Sequence, residues 1–97
     1  LPSHPILMPT FDSSKEVFRR VVVEPGSELD GKTLGQVRLQ EVTGMRVICI
    51  KRGREWIYGP DGSTEVKGND ILFIRGPMAG EARLAKLISA KPPEEGS

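Results

Sequence analysis

The chain has 97 residues, which suits one domain with a modest core, and 37% of them are hydrophobic. Fourteen basic side chains against 13 acidic ones leave a formal net charge of +1, which argues against the basic stripe of a dedicated nucleic-acid binder. A single cysteine, Cys49, excludes a disulfide framework within the chain and favours a reducing compartment.

No apolar run approaches the roughly 20 residues that cross a bilayer, and no basic-then-apolar leader opens the chain. The first residue is Leu1 and not Met, which reads as an excised piece of a longer protein. Residues 1–14 carry Pro2, Pro5 and Pro9 and read as an extended arm or linker, with Ile6, Leu7 and Met8 as a small apolar cluster able to dock. Residues 91–97, with Pro92, Pro93, Glu94 and Glu95, read as a disordered tail. The expected folded unit is 15–90.

Within that unit, residues 17–24 (VFRRVVVE) form a β-branched strand that ends at Pro25-Gly26. Asp30-Gly31 marks a tight turn, and Thr33 with Gln36 three residues later fits a capping box. The pattern predicts a short helix presenting Leu34, Val37 and Leu39 inward, a further turn over 40–43, and a left-handed stop at Gly44. Residues 46–52 (RVICIKR) are a second strand, and Gly53 leads by a hairpin into a third over 54–58. Gly59-Pro60-Asp61-Gly62-Ser63 and Lys67-Gly68-Asn69-Asp70 are turns around a brief strand at 63–66. A strand over 71–75 is expected to break at Gly76-Pro77. Residues 81–89 read as an amphipathic helix with Leu84, Leu87 and Ile88 on one face. The predicted order is β-α-β-β-β-α, an α+β sandwich with a mostly antiparallel sheet.

The strand over 46–52 is apolar on both sides of its pleat. Strict alternation places Ile48 and Ile50 on one face and Val47 and Cys49 on the other. Such a strand needs covering twice, by helices and by a second layer or subunit, which points to a self-associating module with Val47, Ile48, Cys49 and Ile50 at its interface.

Three segments in this order resemble the TrkA-C domain, also called RCK-C, the C-terminal domain of regulators of potassium conductance. They are 27–34 (SELDGKTL), 44–52 (GMRVICIKR) and 66–76 (VKGNDILFIRG), and the resemblance covers about 17–87. It implies a β-α-β-β-β-α sandwich that dimerises, sits in the cytosol at the inner face of the membrane, and regulates a potassium or other cation channel or transporter by sensing a small ligand. Some members bind cyclic di-AMP at the dimer interface. Their pattern has an arginine shortly before the glycine that opens the central strand and an asparagine just after it, where this chain has Gln40 and Arg46. By the same carry-over Arg46 contacts an anionic ligand, while Val47 and Ile48 flank a base.

The residues add their own reading. Arg46 and Arg52 lie six apart, so regular alternation puts them on the face of Ile48 and Ile50, where guanidinium groups meet phosphate and a base rests on aliphatic side chains. The bland alternative has the charged strand ends reaching solvent, or pairing with Glu55 and Glu65. Trp56, Tyr58 and Arg54 invite a thought of stacked bases, yet only 5% of residues are aromatic, so core or dimer packing is the preferred role. The only histidine, His4, lies in the arm without a partner, and Cys49 has no base nearby in sequence. No spacing suits zinc or calcium, Asp61 and Asp70 read as turn stabilisers, and the glycine-rich turn at 59–63 lacks the lysine and helix of a phosphate loop. The expectation is a non-enzymatic regulatory, ligand-sensing and dimerising domain of cation transport, with no nucleic acid and no membrane insertion. A nucleotide or cyclic dinucleotide is the candidate ligand, and no cofactor is required. The alternative is a purely structural oligomerisation domain.

Overall fold

Four segments rich in apolar residues pair into one antiparallel sheet. The computed structural model describes residues 15–92. Its elements are β1 (Glu16–Val22), α1 (Leu39–Thr43), β2 (Arg46–Arg52), β3 (Glu55–Tyr58), β4 (Ile71–Pro77), a 3-10 turn (Met78–Gly80) and α2 (Glu81–Ile88). The strand order is β1-β4-β2-β3, with every neighbouring pair antiparallel. The expected α+β order is therefore found, while the arm over 1–14 and most of the tail lie outside the described residues.

Helices and loops cover one face of the sheet. Val47, Ile50, Leu72 and Ile74 point into a core closed by Leu29, Leu34, Leu39, Met45, Val66, Leu84, Leu87 and Ile88. Each of the fully buried aliphatic side chains contributes about 2 kcal/mol of transfer free energy. α2 presents Leu84, Leu87 and Ile88 at helical spacing, with Glu81 in its first turn and Lys86 in its last, the order its dipole favours. Arg19 reaches Glu81 from β1 and ties the helix start to the sheet.

Four local expectations need correction. The strict alternation assigned to β2 fails, because Val47 opposes Ile74 while Cys49 opposes Phe73, leaving Ile48 as the extra residue of a bulge. Val47 and Ile50 consequently share the covered face, and Ile48 and Cys49 belong to the other side. The capping box does form, with Thr33 N donating to Gln36 Oε1 at 2.8 Å and Gln36 N to Thr33 Oγ1 at 3.0 Å. The turn that it opens stops at Arg38, whose left-handed backbone (φ 53°) delays α1 until Leu39. β4 runs on through Gly76 and Pro77, because β1 pairs with it as far as Glu16–Pro77. The brief strand expected at 63–66 is a single bridge between Thr33 and Glu65.

Long loops are satisfied by distant partners. Glu24 N and Leu29 N donate to the carbonyls of Ile88 and Leu87 at 2.8 and 3.0 Å, so the loop after β1 caps the end of α2. Asp70, 1% exposed, accepts from Arg52 Nε at 2.9 Å, Arg52 Nη2 at 2.7 Å and Lys67 N at 2.9 Å. Its bond to Arg52 raises that guanidinium's already high pKa. Asp30 holds two turns together, accepting from Gly26 N at 2.9 Å and Gly68 N at 2.8 Å.

Two outcomes follow from these clasps. Asp70→Ala leaves Arg52 half-buried without its counter-ion and lowers unfolding stability by about 3 kcal/mol, measured by urea denaturation. The N–H groups of Gly26 and then Gly68 hold the Asp30 carboxylate below its ordinary pKa. A depressed carboxylate stabilises the fold fully above its unfolded value near pH 4, and that stabilisation is lost as pH falls through the lower folded value. The melting temperature therefore drops on acidification below about pH 4, and less steeply for Asp30→Asn; equal slopes for the two proteins would contradict this role.

Candidate ligand clefts around Arg46

The junction between α1 and β2 is built around a sharp reversal. Gly44 adopts φ 75°, open to glycine at little cost, and its N–H closes α1 on Gln40 O at 2.7 Å. Thr43 Oγ1 donates to Leu39 O at 2.7 Å and accepts from Met45 N at 2.9 Å, so one buried hydroxyl links helix and strand. β4 then passes very close: a Cβ on Gly76 would stand 2.6 Å from Met45 Cα. Met45 is fully buried by this approach, and Arg46 emerges beside it at the surface.

Arg46 stands between two open clefts. The first, of about 240 Å³, has Leu34, Leu39, Met45 and Val47 as apolar lining and Gln40, Glu41, Arg46 and Asp61 as polar lining. Gly35 N donates to Gly62 O at 2.8 Å, drawing the 59–63 turn up as one wall. In that wall Asp61 accepts from Ser63 Oγ at 2.7 Å and Ser63 N at 2.9 Å. These bonds, the hydroxyl first, hold its carboxyl below the usual range. Asp61 and Asp70 thus both stabilise turns. The second cleft, of about 250 Å³, lies towards the uncovered side of the sheet and is lined by Glu16, Gln40, Gly44, Arg46, Ile48, Arg75 and Gly76.

The uncovered sheet face adjoins this second cleft. Phe18 (57% exposed), Val22, Trp56 and Tyr58 (74%) stand out from it with Ile48, and Phe73 lies half-buried among them. Trp56 stacks near Tyr58 with ring centroids 6.1 Å apart, and Phe73 lies 5.5 Å from Trp56. Lys51 Nζ sits 5.3 Å over the Trp56 ring. Trp56 and Tyr58 are therefore surface groups and take no part in this chain's own core.

The candidate residues divide accordingly. Arg46, Val47 and Ile48 meet at the two clefts, with only an edge of Val47 reaching the first. Arg52 is not brought to Arg46: the bulge turns it to the helix-covered face, where it bonds Asp70 and donates to Glu65 O at 3.0 Å. Of the expected interface set, Ile48 and Cys49 belong to the uncovered face, whereas Val47 and Ile50 are shut inside the core. Glu16, Phe18, Val22 and Arg75 were not singled out from sequence. Period-two alternation groups Phe18 with Val22, but each face of β1 carries two apolar residues about one arginine, Arg20 there and Arg19 opposite, so the pattern did not choose the exposed face. Among the described residues no group of three or more His, Cys, Asp or Glu is placed to hold a metal.

A family model described as the TrkA-C domain matches residues 18–89, most of the folded unit. The chain belongs to the TrkA-C family. The Ktr system potassium uptake protein A of Vibrio alginolyticus is 44% identical over 53 residues, which are 55% of this chain and 24% of that protein. The TrkA-C chain thus spans about a quarter of that curated relative's length. The dimer of the RCK_C domain of S. agalactiae BusR in complex with c-di-AMP superposes with a TM-score of 0.67 at 22% identity, over 73% of this chain and 88% of that one. BusR bound to its busAB-promoter DNA gives 0.67 at 19% identity, over 86% of this chain and 39% of that one. The RCK C domain of the potassium transport protein KtrA with c-di-AMP gives 0.65 at 22% identity, over 76% and 85%. These structures show a shared fold.

The close approach of β4 to Met45 shapes both clefts. Gly76→Ala forces the two strands apart and lowers stability by about 2 kcal/mol, read as a reduced urea midpoint. A midpoint equal to that of the unsubstituted TrkA-C domain would show that the strands yield freely.

Proposed function

We propose that this TrkA-C domain is a regulatory module of a potassium or other cation transport system, paired as a homodimer and sensing an anionic nucleotide. The supporting observation is Arg46, an exposed cation without an ion-pair partner among the described residues, placed between two clefts. In the first cleft a base rests on Leu34, Leu39 and Val47. The Gln40 amide offers a donor and an acceptor to the base edge, and Arg46 meets a phosphate. Gln40 and Arg46 stand where the cyclic di-AMP pattern has arginine and asparagine, so each protomer offers one cation, with Glu41 and Asp61 nearby. With two carboxylates beside that one guanidinium, the cleft accommodates no more than one phosphate charge per protomer.

The second copy covers the uncovered sheet face, where Phe18, Val22, Ile48, Trp56 and Tyr58 are exposed together. A ligand that fits one arrangement of the two subunits better than another shifts their equilibrium by its differential affinity, and no more. The output belongs to whatever the rest of the parent protein attaches, in the cytosol at the inner face of the membrane. BusR, with this fold in a DNA-bound protein, illustrates that the attached partner can differ. The same exposed face supports a second reading, a purely structural dimerisation domain, because its apolar area is independent of either cleft.

Thermal-shift measurements with adenosine monophosphate, cyclic di-AMP and simple salts separate the two readings. A nucleotide at about 100 times its dissociation constant stabilises the domain by about 2.7 kcal/mol, and Arg46→Ala removes that gain. Sedimentation gives a dimer for the wild type and a folded monomer for Phe18→Asp. A dimer without any nucleotide response leaves the structural reading standing, and a monomeric wild type defeats both.

A further inference from the structure

The second cleft contains cations that the sheet itself does not balance. Arg46 on β2 and Arg75 on β4 are direct Cα partners, so both guanidinium groups leave the same face at adjacent points. Like charges set directly opposite in an antiparallel pair oppose the pairing. One carboxylate answers them: Arg75 Nε donates to Glu16 Oε1 at 2.9 Å, while Arg46 makes no ion pair among the described residues. Arg75 and Glu16 are both well exposed, at 63% and 56%, so their bond exchanges readily with solvent and other anions. The space beside them, about 250 Å³, is lined by Gly44 and Gly76, which have no side chains to fill it, and by the apolar Ile48.

We propose that this cleft is an oxyanion site for a phosphate group, held between Arg46 and Arg75, with Glu16 as a competitor built into β1. Two planar guanidinium forks facing one space present the donor arrangement that suits a tetrahedral oxyanion. Glu16 holds Arg75 in the empty site and must release it when the anion enters. The carboxylate therefore sets the affinity: it screens out weakly charged anions and yields to a phosphate that engages both arginines. The site shares Arg46 and Gln40 with the first cleft, whereas Arg75 and Glu16 line only the second.

The test is an amide-resolved NMR titration of the full chain with inorganic phosphate and with adenosine monophosphate, against chloride at matched ionic strength. Phosphate produces saturable shifts at Gly44, Ile48 and Gly76. Glu16→Gln tightens binding about threefold by removing an exposed competitor, and Arg75→Ala weakens it about tenfold by removing a charge-assisted donor. Either anion supports the site if the Gly76 shift saturates and follows Arg75. Shifts confined to Leu34, Gly35 and Gly62 place the phosphate in the first cleft and overturn the proposal. So does an affinity that neither Glu16→Gln nor Arg75→Ala changes.

Discussion

One extra residue in β2 decides which side chains the molecule keeps for itself. Without the bulge, Ile48 and Ile50 would share a face, and Arg46 and Arg52 with them. With it, Val47 and Ile50 both enter the core, and Ile48 is left outside. The insertion lets two aliphatic residues three positions apart face the helices from one strand, which strict period-two geometry forbids. It also splits the arginines. Arg52 turns inward to a buried carboxylate at one end of β2, while Arg46 stays in solvent at the other.

That split separates stability from recognition along a single strand. At the Arg52 end the groups are satisfied: Asp70 accepts three hydrogen bonds, and the guanidinium also donates to the Glu65 carbonyl. Removing any one partner leaves a charge in a place of low polarity, so this end has little freedom to change. At the Arg46 end the clefts are open, Arg46 has no ion-pair partner among the described residues, and the Arg75–Glu16 pair is exposed. Exposed pairs cost little to exchange, which suits an end of the sheet that binds something.

Much of this was legible in the sequence, for physical reasons that differ from element to element. β-branched content marked β1, the short link at Gly53 marked β3 and helical spacing marked α2, and each ended close to the expected bounds. The glycine after Thr43 announced its left-handed turn. The capping box at Thr33 and Gln36 was legible as chemistry, but its consequence was not, because Arg38 adopts a left-handed backbone that no propensity for arginine foretells. β4 continued through Gly76-Pro77 because a paired neighbour, β1, extends beside it. A proline at the end of a strand then loses little. The bulge was hidden for a deeper reason: residues 47–50 are all apolar, so either register leaves a plausible pattern, and only the partner strand selects one. The partnership of Arg75 with Glu16 was invisible for the same reason, since 59 residues separate them.

The bulge also bears on how a binding event would be felt elsewhere. Arg46 lines both clefts, and the next residue but one, Ile48, stands on the face assigned to the second copy. Any anion that fixes the Arg46 side chain acts on the strand segment that carries the exposed Ile48. The two sites would then bias one short element and need no extended path between them. Coupling of this kind is reciprocal: whatever factor a bound phosphate adds to dimer affinity, dimerisation adds to phosphate affinity. Charge supplies a sign. Among the described residues Arg20, Arg46, Lys51 and Arg75 lie on strand positions of the uncovered face, against Glu16 alone. Apposing two such faces brings like charges together, and an anion bound near Arg46 reduces that repulsion, so ligand and partner favour one another.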